Sequence, residues 1–189
     1  IHTPLVEHAT MELARSCGIE VAATRALPVG SGHAVAVAVA VAVRRFDRAG
    51  PARLHAVSAH VALHAAGEEL CYPQLAQLLR RVAPAGEIRS QQEQLFRRMV
   101  FNILIDNTDD HEKNHALLRQ ANGHYLLSPA FDVVRGAQGL VYQAMGIGDQ
   151  GTESTLANAL SQARQFGLKV DAAPVIIAEV AIKVDDWIE

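Results

Sequence analysis

The sequence predicts an α+β fold in which strands come early and helices dominate later. The run of residues 34–43 alternates alanine with β-branched valine, which favours a buried strand. Apolar residues recur at helical spacing through residues 58–106 and again beyond residue 155. Between these stretches, residues 115–127 read as two short strands around an Ala-Asn-Gly turn, so we expect a hairpin there.

Composition sets bounds on the class of protein. The chain has 189 residues, 50% of them hydrophobic, and a net charge of −3, so we expect one domain and no direct contact with nucleic acid. Cys17 and Cys71 lie far apart, which argues against a disulfide framework and favours the cytoplasm. The longest apolar run is shorter than the ~20 residues that span a bilayer, so no membrane contact is expected.

The first helix has recognisable boundaries. Thr3 is a suitable N-cap, Pro4 suits the first helical position, and Gly18 suits the position after the end. Residues 19–26 are expected to be extended, with a turn at 28–32 before the Ala/Val run. We expect that run to be a strand buried on both faces; a low-complexity helix is the alternative, because alanine is the best helix former.

Helices account for most of the remaining chain. The caps and apolar spacing predict helices over residues 58–66, 73–82, 90–106, 155–166 and 171–187, with Gly167 just past the fourth of these.

A set of oxygen-bearing residues follows the third of these helices. Protein kinases carry an Asp in a loop, an Asn five residues later, a hairpin, and then a second Asp, which together orient a hydroxyl and bind magnesium. Asp109, Asn114, the 115–127 hairpin and Asp132 reproduce that order. The spacing of Asp109 and Asn114 alone is weak evidence for a kinase site, because Asp and Asn often cap turns. The hairpin and the second Asp, Asp132, make the pattern more specific to kinases.

These residues also resemble a family. The segment FNILIDNTDDHEKN at residues 101–114 and LSPAFD at 127–132 are similar to the HipA kinases, the toxins of bacterial toxin–antitoxin pairs. The resemblance extends to residues 11–14, 18–19, 45–48, 54–55 and 166–168. It implies a protein-kinase-like fold and an ATP- and Mg²⁺-dependent serine/threonine protein kinase.

The resemblance also implies residue roles. Asp109 would be the catalytic base, and Asn114 and Asp132 would bind Mg²⁺. The hinge that contacts adenine would be residues 44–46, with Asp47 near the ribose. The residues implied to contact ATP are Arg44, Arg45, Phe46, Asp47, His111, Glu112, Lys113, Asn114, Phe131 and Asp132. The implied partners are a small DNA-binding antitoxin and a protein substrate such as an aminoacyl-tRNA synthetase.

The expected domain is a single HipA-like C-terminal kinase domain over residues 1–189, truncated at its N-terminal side. Residues 1–50 would be the remnant of the nucleotide-side lobe and hinge, and residues 51–189 the helical lobe. Glu7 occupies the place of the helix carboxylate that pairs with the ATP-binding lysine. That lysine and the phosphate-covering loop would lie upstream of Ile1, so we expect weak ATP binding by this chain alone.

Two other classes of function are alternatives to the kinase hypothesis. His111-Glu112-x-x-His115 spells the H-E-x-x-H zinc-protease motif, which requires both histidines on one uninterrupted helix. A non-catalytic kinase-like binding module is the second alternative. Taken singly, Asp109 and Asp110 are expected to be solvated loop acids, and His60 and His64 to be partly buried, hydrogen-bonded helix residues.

Overall fold

The computed structural model describes residues 3–29, 38–136, 139–169 and 171–188, and within them the α+β prediction is confirmed. The helices are α1 (Thr3–Ser16), α2 (Ala59–Ala66), α3 (Tyr72–Val82), α4 (Ile88–Leu104), α5 (Leu156–Ser161) and α6 (Ala172–Ile188). The strands are β1 (Thr24–Val29), β2 (Ala38–Val43), β3 (Arg48–Ala49), β4 (Ala52–Arg53), β5 (Ala56–Ser58), β6 (Ala116–Arg119) and β7 (Tyr125–Leu127). Short 3₁₀ turns cover Glu112–Asn114 and Ala163–Phe166.

Strands β1 and β2 form an antiparallel ribbon in which Thr24 pairs with Val43 and Val29 with Ala38. The strand prediction is therefore confirmed for residues 38–43, while residues 30–37 lie outside the described chain. Pro28 belongs to β1 rather than to a turn, which a two-stranded ribbon tolerates because a proline without an N–H can face outward. Burial on both faces is wrong for the described side chains, since Ala42 and Val43 are exposed.

The core is built mainly from α1, α3, α4 and α6 around fully buried large side chains. Phe96 of α4 packs edge-on against Phe166, with ring centroids 5.2 Å apart. Ser58 caps α2 by accepting a hydrogen bond from the backbone N–H of Val61, and Pro73 occupies the first turn of α3, so both predicted helix starts are confirmed. This packed helical layer provides the rigid support on which the polar loop after α4 lies.

The predicted hairpin is confirmed as β6 and β7, in which Leu117 pairs with Leu127. Strand β5 pairs with the free edge of β6, which gives a three-stranded sheet in the order β5-β6-β7. This third strand was not predicted. The helix predicted over 155–166 is divided: α5 ends at Ser161 and a 3₁₀ turn follows, ending at Gly167 with φ 63°.

Within the described ranges, no helix combines the length and the apolar character needed to cross a membrane.

Candidate active site

The loop between α4 and β6 carries the predicted catalytic residues. Asp106 lies in the turn just after α4 and has φ 56°, a left-handed backbone conformation in which the chain does not continue the helix. Asp109 follows with an exposed side chain, and residues Glu112–Asn114 form a 3₁₀ turn in which the N–H of Asn114 donates to the carbonyl of His111 at 2.9 Å. The loop therefore presents Asp109 to solvent while Asn114 is buried.

The chain returns through the hairpin to Asp132. The N–H of Ala130 donates to the carbonyl of Glu20 at 2.7 Å, and the N–H of Ala22 donates to the carbonyl of Ala130 at 2.8 Å. These two bonds fix the backbone just before Asp132, which itself has φ 56°. A non-glycine residue in this conformation costs of the order of 1–3 kcal/mol, and such strain clusters at functional sites.

An open cleft of about 430 Å³ lies beside Asp132. Its volume falls in the range of small-molecule sites. Most of the residues predicted to contact nucleotide line it, and its walls are Glu7, Val43, Arg44, Arg45, Phe46, Asp47, Ala56, Ala116, Phe131 and Asp132. The rings of Phe46 and Phe131 have centroids 5.1 Å apart, so an aromatic pair forms part of the apolar wall. The structure thus brings residues 44–47, Glu7 and Asp132 to one cavity.

The charged groups of the cleft influence one another. Burial, and then the charge of Asp132, raise the pKa of Glu7 above its ordinary value. The guanidinium of Arg45 donates to both carboxylate oxygens of Asp47, from Nε at 2.8 Å and from Nη2 at 2.5 Å. These hydrogen bonds, helped by the charges of Arg45 and Arg48 against a smaller desolvation effect, lower the pKa of Asp47 to about 2. Asp47 is therefore ionised at neutral pH.

The remaining predicted residues lie outside the lining of this cleft. Asn114 lines a separate cavity of about 10 Å³, which shares Phe131 with the cleft. Asp109 and Lys113 are exposed, and His111 is half-buried. Glu112 accepts a hydrogen bond at 2.6 Å from Nδ1 of His60 on α2.

Desolvation opposes the charged form of Glu112. The backbone N–H of Glu112, His60 and the charge of His111 together outweigh that effect and lower the pKa of Glu112.

The geometry required by the zinc-protease motif is absent. His111 precedes a 3₁₀ turn, and His115 has extended backbone angles of φ −113° and ψ 132°, so the two histidines do not share an α-helix. Nε2 of His115 is hydrogen-bonded to Asp110 at 2.9 Å. Among the described residues, no group of three or more His, Cys, Asp or Glu side chains could hold a metal ion. The zinc alternative is wrong in its structural premise, because the segment leaves the helix at residue 105.

Asp110 is the functional candidate that sequence reasoning missed. The prediction of a solvated loop acid is wrong: Asp110 is 3% exposed and accepts hydrogen bonds from the Tyr72 hydroxyl and from His115. A signal was present in α4, where Arg98 and Asn102 lie four residues apart among apolar residues. Buried polar side chains on such a face require partners elsewhere in the chain.

The chemistry of the donors is compatible with Mg²⁺. Asn114 and Asp132 offer an amide and a carboxylate oxygen, the hard ligands that this ion prefers, and the ion usually keeps several waters besides one or two protein ligands. The exposed carboxylate of Asp132 borders the open cleft, whereas Asn114 is buried and lines the separate small cavity.

Solved structures share this fold. The chain is similar to HipA of Shewanella oneidensis MR-1, in a structure of the toxin–antitoxin system of HipA, HipB and operator DNA, with 20% identity and a TM-score of 0.75. That match covers 98% of this chain and 48% of the other, so the chain spans about half the length of that protein. It is also similar to the Helicobacter pylori proinflammatory kinase CtkA, with 13% identity, a TM-score of 0.62, and coverage of 98% and 82%.

Comparison of sequences gives a consistent result. No curated protein matches the chain. The family model for the HipA-like C-terminal domain matches residues 2–188, which is nearly the whole chain. The chain therefore belongs to the family of HipA-like C-terminal domains.

Proposed function

We propose that this chain is the C-terminal kinase domain of an ATP- and Mg²⁺-dependent serine/threonine protein kinase of the toxin type. The observation that carries the proposal is the cleft that gathers Glu7, residues 44–47 and Asp132, beside a loop bearing Asp109 and Asn114 in kinase order. Residues 1–50 would provide the nucleotide side of the domain, and residues 51–189 the helical lobe.

The nucleotide would occupy the open cleft. Backbone groups of residues 44–46 would bind the adenine edge, and the Phe46 and Phe131 rings would cover its apolar faces. Asp47, ionised and held by Arg45, would accept hydrogen bonds from ribose hydroxyls. Because Arg45 already donates to both carboxylate oxygens, Asp47 has its orientation fixed before a ligand arrives.

Asp109 would act as the general base. Its exposed carboxylate would accept the hydrogen bond and then the proton of a substrate serine or threonine hydroxyl, which makes that oxygen a better nucleophile. Asn114 and Asp132 would hold Mg²⁺, which when bound neutralises charge on the phosphates. The resemblance also implies a phosphate-covering loop and an ATP-binding lysine in the active kinase, so transfer is expected from the full-length protein.

The proposed partners follow from the family. A small DNA-binding antitoxin is proposed as the regulator, since the S. oneidensis structure holds HipA together with HipB and operator DNA. The substrate is proposed to be a protein with an accessible serine or threonine, and an aminoacyl-tRNA synthetase is the first candidate to test.

Calorimetric titration of the chain with ATP, with and without Mg²⁺, tests the proposal. We expect weak binding that depends on Mg²⁺ and that Asp132→Asn abolishes, because the substitution removes a charged metal ligand. Asp186→Asn is a matched control, since Asp186 is an exposed acid on α6. Tight ATP binding without metal, or equal effects of the two substitutions, would contradict the proposal.

A further inference from the structure

A cluster of buried polar side chains lies directly behind the catalytic loop. Asp110 is 3% exposed, Tyr72 1% and His115 2%. The Tyr72 hydroxyl donates to Oδ2 of Asp110, and Nε2 of His115 is bonded to the same oxygen at 2.9 Å. Nδ2 of Asn102 donates to the Tyr72 oxygen at 3.2 Å, and Nδ2 of Asn107 donates to Oδ1 of Asn102 at 3.1 Å. The chain of bonds thus runs from α3 through α4 into the loop.

Neighbouring groups in the cluster determine the protonation of Asp110, Tyr72 and Arg98. Burial alone would raise the pKa of Asp110, but His115, Tyr72 and Arg98 stabilise the carboxylate and lower its pKa. Burial and the neighbouring Asp110 raise the pKa of Tyr72, so its hydroxyl keeps the proton that it donates. Burial lowers the pKa of Arg98 to about 10, which leaves it a cation at neutral pH. The ion-pair partner of Asp110 in the structure is therefore His115, with Nε2 at 2.9 Å from Oδ2, and the charge of Arg98 adds to the stabilisation of the carboxylate.

Arg98 connects the cluster with the segment that leads to Asp132. Its Nη2 donates to the carbonyl of Ser128 at 2.6 Å, four residues before Asp132. Arg98, Asp110, Asn114 and His115 also line the cavity of about 10 Å³, a volume close to that of one water-sized probe. One helix, α4, thus contacts both the segment that carries Asp109 and the segment that leads to Asp132.

We infer that Asp110 and Tyr72 are positioning residues for the reaction: they fix the backbone of residues 109–114 from the interior so that Asp109 is presented at a constant position. The inference rests on the proposed function. Asp110 touches no reactant, because its carboxylate faces the core. Because Asp109 and Asp110 share a peptide bond, holding Asp110 in place also restricts the backbone of Asp109. Rigid support of this kind matters because a misplacement of ~1 Å can cost ~10²-fold in rate.

Tyr72→Phe in the full-length protein tests this, because it removes one hydroxyl and keeps the ring. We expect kcat for phosphate transfer to fall by ~10–100-fold while KM for ATP stays within about twofold, since the cleft residues are elsewhere. Amide hydrogen exchange of residues 109–114 should become about tenfold faster, equivalent to about 1.4 kcal/mol, with exchange in α4 unchanged. Tyr125→Phe is the control, because its hydroxyl makes a weaker 3.5 Å contact with His55 at the surface.

The outcomes separate the two proposals. If the wild-type protein transfers no phosphate, the proposed function fails, and hydrogen exchange alone then decides the positioning inference. Loss of thermal stability without faster loop exchange and without loss of kcat would show that the cluster is merely structural, and would overturn the inference. Should Tyr72→Phe fail to fold, Asp110→Asn is the second variant, with the same expected loss of kcat and the same exchange measurement.

Discussion

Gly136→Ala should weaken the contact between the loop that follows α4 and the segment that follows Asp132. A β-carbon at position 136 would collide with the carbonyl oxygen of Asp106 and would lie 2.8 Å from its carbonyl carbon. The N–H of Gly136 donates to the carbonyl of Ile105 at 3.2 Å, and the N–H of Gly139 donates to Oδ2 of Asp106 at 2.7 Å. The two segments therefore approach too closely at this point for any side chain.

The expected cost follows from what the methyl group meets. Backbone atoms cannot swing aside as the end of a flexible side chain does, so the clash must be relieved by a backbone shift. Overpacking of this kind costs ~1–3 kcal/mol, and a chain of this size loses roughly 2–4 °C in Tm per kcal/mol, so Tm should fall by roughly 2–12 °C.

Thermal unfolding followed by circular dichroism measures this shift. Gly86→Ala is the matched control: nothing lies within 4 Å of its added β-carbon, and its φ is outside the left-handed region. We expect that control to stay within ~0.5 kcal/mol of the wild type. Equal Tm values for the two variants would refute the close approach of residue 136 to Asp106.

Three further predictions concern single contacts. Arg45→Ala should raise the pKa of Asp47 from about 2 toward its ordinary value of 3.8, as a carboxyl NMR titration would show, whereas Arg53→Ala should leave it near 2. The folded-state pKa of Glu112 lies below its ordinary value of 4.5, so its ionised form stabilises the fold above that pH and this contribution disappears as the pH falls. The wild type should therefore lose more stability than Glu112→Gln between about pH 5 and about pH 3, and equal losses would contradict this. After chelation and dialysis the protein should hold no stoichiometric zinc by elemental analysis, because Asp110 occupies Nε2 of His115; one zinc per chain would contradict this.

Local signals in the sequence predicted the helices well. Pro73 and Ser58 act on neighbouring backbone groups, so the helix starts that they favour can be predicted without knowledge of the tertiary structure. The hairpin could also be predicted from local sequence, since its Asn-Gly turn lies between two short apolar strands. The order of Asp109, the hairpin and Asp132 was recognisable because kinase loops keep that order along the chain.

Features that depend on distant partners could not be predicted in the same way. The burial of Asp110 depends on Tyr72, which lies 38 residues away in sequence, and nothing in the loop itself distinguishes Asp110 from the exposed Asp109. Strand β5 has three residues, too few to show a period, and pairs with β6 across a long separation. The exposure of Val43 reflects the ribbon's place at the surface, which an alternating apolar pattern does not reveal.

Phosphate transfer by the full-length protein carrying Asp109→Asn tests the central claim most directly. Asparagine is nearly isosteric, so the fold and Mg²⁺–ATP binding should persist, but it cannot accept the substrate's proton. Transfer of labelled phosphate to a protein substrate should fall by ~10²–10⁴-fold, the usual contribution of a general base. Asp186→Asn, an exposed acid on α6, should transfer at the wild-type rate. Equal transfer by the Asp109→Asn and Asp186→Asn proteins would contradict the assignment of Asp109 as the catalytic base.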